Sequence, residues 1–157
     1  MAAEKPAQST EQELRRAKPF IRAMSAANVL MFRVSGGRFG SKFFLHGSPV
    51  GLLTTKGRKS GARRVAPLIY LEDGPRIVLV ASQGGLPKHP VWFLNLEANP
   101  DASFETRQHG VRAYRARRAS SEEKAALWPR LNQVYPDYAS YQARTERDIP
   151  VVILEPR

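Results

Sequence analysis

At 157 residues, 42% hydrophobic, the chain is long enough for one domain with a real core, and its lack of cysteine excludes disulfide frameworks, thiolate nucleophiles and cysteine-ligated zinc. The net charge of +11 implies attraction to an anion: nucleic acid, a membrane surface, or a phosphorylated or carboxylated small molecule. No apolar stretch follows the first charges and none reaches about 18 residues, so the chain reads as cytoplasmic, neither secreted nor membrane-spanning.

Residues 1–9 are small, polar and contain proline, and read as a disordered tail; residues 10–157 read as a single domain. From Thr10, the positions Leu14, Ala17, Ile21, Met24, Asn28 and Met31 recur at spacings of three and four, which predicts a helix with one face packed on the body. Arg15, Arg16, Lys18 and Arg22 flank it, so a peripheral contact with a membrane stays open as a second use. Pro19 predicts a kink or a restart in its first turn. After a glycine-rich connection, "VGLLTT", "RRVAPLIYLED" and "PRIVLVAS" read as strands, with "EDGP" a hairpin turn. "HPVWFLNLEANP" predicts a helix entered at Pro90 and closed near Asn99.

Two further strands, Ala102 to Arg107 and Val111 to Arg117, turn at "HG". Ser120 and Glu123 form a capping box opening a helix that Pro129 is expected to interrupt or restart. "IPVVILEP" suits a buried strand. About six mostly antiparallel strands with a few helices outside them predict an α+β, mainly β, barrel or sheet, and not a doubly wound fold.

Three stretches carry chemistry. Thr54 to Arg64 holds five cations, Lys56, Arg58, Lys59, Arg63 and Arg64, with no acid and with Gly57, Ser60 and Gly61 interspersed. Backbone N–H groups and a hydroxyl can there approach an anion that the cations attract, or the stretch is a solvated hairpin tip. It matches neither a Walker loop nor a dinucleotide fingerprint. In "ASQGGLPKHPVWFLN", Ser82 ends a strand, Gly84 and Gly85 expose backbone, and Trp92 and Asn95 supply a flat ring and an amide suited to a planar heterocycle. An ordinary core tryptophan is the alternative. His89 has no second ligand at metal spacing, so no metal is expected. Tyr135, Tyr138 and Tyr141, three apart, share roughly one helical side, either as partly buried fillers or as the wall of an aromatic substrate pocket.

Taken in order, "LLTTKGRKSGARRVAPLIYL", "VASQGGLPKHPVWFLNLEANP" and "YPDYASYQARTERDIPVVILEP" resemble the deazaflavin (F420)-dependent nitroreductase family of actinobacteria, over roughly Leu52 to Pro156. The resemblance implies a split β-barrel and a hydride passed from reduced coenzyme F420, an 8-hydroxy-5-deazaflavin, to a quinone, an activated enone or a nitroaromatic. It implies that Lys56, Arg58, Lys59, Ser60 and Arg63, with Leu53, Thr54 and Gly61 beside them, hold the cofactor's phosphate and oligoglutamate tail. It implies likewise that Val80, Ala81, Ser82, Gln83, Val91, Trp92 and Asn95 line the ring. The resemblance implies further that Tyr135, Tyr138 and Tyr141 wall the acceptor pocket, with Ser82, Tyr135 or Tyr138 the candidate donor to a developing oxyanion. Gln83 and His89 stand where relatives often have Lys and Asn, and Arg144 replaces a frequent aromatic. An enzyme binding flavin mononucleotide (FMN) on the same kind of barrel is the alternative, though its shorter anionic tail leaves part of the basic run unexplained. A nucleic-acid binder is the alternative outside enzymes. It lacks a recognition motif, and its aromatics are not interleaved with the cations, so nucleic acid is not the expected partner.

Overall fold

The computed structural model describes residues 11–42 and 47–157, with side chains from residue 16 onward. The sequence-predicted tail, residues 1–9, lies outside the described residues. Helix α1 spans Glu11–Val34 without a break at Pro19. Seven strands follow: β1 Val50–Lys56, β2 Arg63–Ile69, β3 Leu71–Asp73, β4 Arg76–Val80, β5 Asp101–Thr106, β6 Gly110–Arg118 and β7 Val151–Pro156. Between them lie α2 (Val91–Ala98), α3 (Ser121–Val134) and α4 (Asp137–Arg144).

The sheet order is β2-β1-β5-β6-β7-β4-β3 and every pairing is antiparallel. The expected "RRVAPLIYLED" strand is two strands, because the chain pairs with β1 up to Ile69 and with β4 from Leu71. These two pieces stand at opposite ends of the sheet with Tyr70 alone between them. The sheet therefore curls back on itself into a split barrel, and seven strands replace the expected six or so.

Alternation on the central strands explains their continuous apolar runs. On β4, Ile77 and Leu79 join an inner core with Leu53, Phe93, Leu96, Phe104 and Tyr114, while Val78 and Val80 join a second core beneath α3 and α4. On β7, Val152 and Leu154 face inward and Val151 and Ile153 face the helices. A strand buried on both faces has no polar face to show. Gly51 on β1 admits the Phe104 ring, since a Cβ there would lie 2.4 Å from it.

Three expectations about the helices need correction. Helix α3 begins at the predicted capping box, with Ser120 Oγ accepting from the Glu123 N–H, but Pro129 does not stop it. Pro129 and Ala125 are both exposed, so water can satisfy the carbonyl that the proline leaves unbonded. Pro19 is likewise exposed on the outer side of α1. On α1, the buried contact is Phe32, with Ser25, Asn28 and Val29 half-buried, whereas Ile21, Met24 and Met31 of the predicted packing face are exposed. The helix touches the barrel mainly along β2, so only a narrow flank is covered.

Candidate active site

The basic stretch forms the β1–β2 hairpin. Its tip closes through Gly57 N–H to the Ala62 carbonyl at 2.7 Å and Gly61 N–H to the Gly57 carbonyl at 2.8 Å, with Ser60 Oγ accepting the Ala62 N–H at 3.1 Å. Lys56, Arg58, Lys59, Arg63 and Arg64 are exposed, and among the described residues none of them forms an ion pair. Elsewhere, Arg76, Arg115, Arg117, Arg118, Lys124, Arg130 and Arg157 all have acidic partners. Thr54, next to the tip, is half-buried, whereas Leu53 is fully buried and paired with Ala66 and Phe104 on either side, so it offers a ligand no surface.

Helix α2 fixes this hairpin. Asn95 is 2% exposed; its Oδ1 accepts the Arg58 backbone N–H at 3.1 Å and its Nδ2 donates to Thr55 Oγ1 at 3.2 Å. The amide read from the sequence as a ring contact is thus engaged in holding the cationic tip. One turn before it, Trp92 is half-buried against the inner core and edge-on to Phe93 at 6.3 Å, while Val91 is 62% exposed.

The second stretch is the connection from β4 to α2. Val80 and Ala81 are buried, Ser82 is half-buried and Gln83 is exposed. Gln83 (φ 44), Gly84 (φ 64) and Gly85 (φ 77) form three consecutive left-handed residues. Gln83 is the one non-glycine with positive φ among the described residues, a conformation costing on the order of 1 kcal/mol that its surroundings must enforce. Gly85 lies against α4: a Cβ there would sit 2.6 Å from the Tyr141 carbonyl oxygen. The Ser82 hydroxyl does not cap the turn that it opens.

The tyrosines meet across a helix corner and not along one helix. Tyr135 ends α3, Pro136 turns the chain, and Tyr138 and Tyr141 lie on α4. Ring centroids of Tyr135 lie 5.0 Å from Tyr138 and 5.9 Å from Tyr141, and the Tyr135 and Tyr141 hydroxyls share a 2.9 Å hydrogen bond. Tyr135 and Tyr138 are each 5% exposed, inside the second core, while Tyr141 is half-buried with the Arg144 guanidinium 5.7 Å over its ring. Burial, then the bond to Tyr141, pushes the Tyr135 hydroxyl far above the usual phenol range; burial, then Tyr141, does the same for Tyr138. Both phenols therefore stay protonated, and the Tyr135 hydroxyl is already engaged with Tyr141 and Asp137.

One participant escaped the sequence reading. Arg147, in the loop before β7, inserts its guanidinium beneath the Ala81–His89 connection. No local pattern marks it, since its partners lie about sixty residues earlier. Among the described residues no cluster of metal-ligating side chains occurs, and no helix is long and apolar enough to cross a membrane.

The F420H(2)-dependent quinone reductase family profile matches residues 24–156, a span containing the hairpin, the strand-to-helix connection and the tyrosine corner. The chain belongs to the F420H(2)-dependent quinone reductase family. A Mycobacterium tuberculosis (H37Rv) protein provisionally named F420H(2)-dependent quinone reductase Rv3178 is 46% identical over 109 residues, 69% of this chain and 91% of that protein. The F420H(2)-dependent quinone reductase Rv1261c of the same organism is 37% identical over 131 residues, 81% of this chain and 86% of its own length. Among solved structures, an F420-H2 dependent reductase (FDR-A) matches with a TM-score of 0.63 and 42% identity, over 68% of this chain and 94% of that one. As a family member the protein is an oxidoreductase whose cofactor is coenzyme F420, on the split-barrel fold just described.

Proposed function

We propose that the protein reduces a quinone with reduced F420, its hairpin gripping the cofactor's anionic tail. The observation that carries this reading is the set of five exposed hairpin cations without an ion-pair partner among the described residues. Such a cluster repels itself unless an anion meets it. Lys56, Arg58, Lys59 and Arg63, with Ser60, would hold the phosphate and the glutamate carboxylates. The FMN alternative has a single phosphate and leaves most of these charges unmatched.

When bound, the reduced deazaflavin supplies the hydride; the protein supplies position and electrostatics. Ser82 and Gln83, beyond the buried Ala81, would present backbone to the ring, and Trp92 its half-buried face. As an acceptor takes hydride, negative charge grows on its oxygen, and a placed O–H stabilises it. Of the four candidate residues Ser82 and Tyr141 are the half-buried ones; Tyr135 backs Tyr141 through their 2.9 Å bond, and Tyr138 packs on Tyr135 in the core. Activated enones and nitroaromatics are planar and develop the same oxygen charge, so this site would take them too.

The test is an equilibrium titration with oligoglutamyl F420 and with FMN at two salt concentrations, followed by menadione reduction with F420H2. Tighter F420 binding that weakens with salt is expected. Equal or tighter FMN binding at low salt would overturn the reading.

A further inference from the structure

The connection from β4 to α2 holds its shape with little help from its own side chains. Its internal hydrogen bonds are Gly85 N–H to the Ser82 carbonyl at 2.9 Å and Leu86 N–H to the Gln83 carbonyl at 3.2 Å. Gln83 would relax to a commoner conformation, and Gly84 and Gly85 would sample both signs of φ, unless something outside the loop fixed them.

Arg147 meets that need. Its Nε donates to the Leu86 carbonyl at 3.1 Å, Nη1 to the Ala81 carbonyl at 3.0 Å and Nη2 to the Ser82 carbonyl at 2.8 Å. Nη1 also lies 3.0 Å from His89 Nδ1. A guanidinium has five N–H donors and no acceptor, so His89 Nδ1 must accept and the ring must carry its proton on Nε2. Burial first, then the positive charges of Arg147 and Arg118 against the opposing Glu97, holds the imidazole below its usual range and hence neutral. Within the same loop, Gly85 sits directly on the Tyr141 backbone.

We propose that Arg147 is the positioning residue of the loop: one planar guanidinium spans the carbonyls of Ala81, Ser82 and Leu86 and the Nδ1 of His89. It sets the backbone of Ser82 and Gln83, and the Nε2–H tautomer of His89, before any ligand arrives. The role of that backbone as the ring-side wall rests on the function proposed above. A lysine cannot substitute, because three donors on a single nitrogen do not reach groups on four residues. Without the clamp the loop samples other shapes, and apparent affinity falls by the fraction of time that the competent one is lost.

The first readout needs no cofactor and no change at Arg147: long-range 1H–15N spectra of the free, full-length protein, with the His89 signals assigned by their loss in His89→Gln. The expected result is a neutral His89 protonated on Nε2 at pH 7; an Nδ1–H tautomer, or a ring exchanging freely between the two, overturns the proposal. In Arg147→Lys the fixed tautomer should be lost. The F420 dissociation constant should rise about tenfold, as if the competent loop were populated about a tenth of the time. Single-turnover hydride transfer at saturating F420H2 should stay within about threefold of the parent, since bound cofactor restores the loop. A merely structural role would lower the melting temperature and leave the affinity of the folded fraction unchanged. Parental affinity in Arg147→Lys, or a retained His89 tautomer, therefore sinks the idea. If the parent binds no F420, the cofactor reading fails by itself, and the imidazole spectra still decide whether Arg147 holds the loop.

Discussion

The β1–β2 hairpin and the β4–α2 connection are both short, glycine-containing loops leaving buried strands, yet they invert each other's chemistry. In the hairpin, charge points outward and the anchor is neutral: Asn95, buried in α2, holds Arg58 by its backbone N–H and leaves the guanidinium to solvent. In the connection, little charge faces outward and the anchor is cationic: Arg147 grips three carbonyls from beneath. The contrast follows from what each loop is proposed to hold. A flexible polyanion is met by mobile cations on a fixed base, and a rigid ring by a fixed backbone. A neutral anchor under the hairpin leaves the attraction for the ligand; a charged anchor under the connection can satisfy several carbonyls at once.

Five substitutions and a control would break or sharpen that contrast. Gly85→Ala should do the most damage, because it combines a left-handed residue with a 2.6 Å approach to the Tyr141 carbonyl. Strain and overpacking together should cost about 3 kcal/mol, read as a fall in denaturation midpoint. Tyr141→Phe tests the acceptor side of the connection. If its hydroxyl donates to the oxyanion, menadione reduction should fall roughly 10²-fold or more at saturating cofactor. Should it keep near-parental turnover while Ser82→Ala loses it, the donor is Ser82.

Asn95→Ala strands the Arg58 N–H and should cost about 1–3 kcal/mol of stability. It should also weaken F420 binding though no charge is removed, and unchanged binding would mean that the hairpin needs no anchor. Arg58→Ala does the reverse: stability should stay within about 0.5 kcal/mol while F420 binding loses about 1.5 kcal/mol, an effect that shrinks with salt. The control is Ser120→Ala at the α3 cap, which should cost about 1 kcal/mol of stability and leave the affinity of folded protein for F420 unchanged. Any affinity loss there would show that stability and binding are not separable in this fold.

Much of the barrel was legible because its signals are local. Ile77–Val80 in β4 and Val151–Leu154 in β7 are unbroken apolar runs, β1 opens on Val50, Leu52 and Leu53, and the capping box at Ser120 and Glu123 marks the start of α3 within four residues. What failed depends on partners distant in sequence. Nothing within "RRVAPLIYLED" says that its first half pairs with β1 and its second with β4, so the break at Tyr70 is invisible. Periodicity on α1 found the edge of the buried face, at Ala17 and Asn28, but not its centre at Phe32, because one strand covers only a flank of the helix. The tyrosine spacing pointed to a cluster, yet the rings gather by folding at Pro136, which buries Tyr135 and Tyr138 and leaves Tyr141 outermost. Arg147 had no signature at all, since a guanidinium binding carbonyls needs no particular neighbour in the chain.

The split at Tyr70 also bears on how the protein behaves when crowded with copies of itself. An open sheet offers two rows of unpaired amides on which another chain can add a strand. Here one edge strand, β3, is three residues long. The other, β2, carries the exposed Arg63 and Arg64 and, at its centre, Pro67, which has no N–H to give. Because one residue joins the two edges, each is drawn toward the other, and a would-be templating chain meets charge, a missing donor and a strand too short to extend.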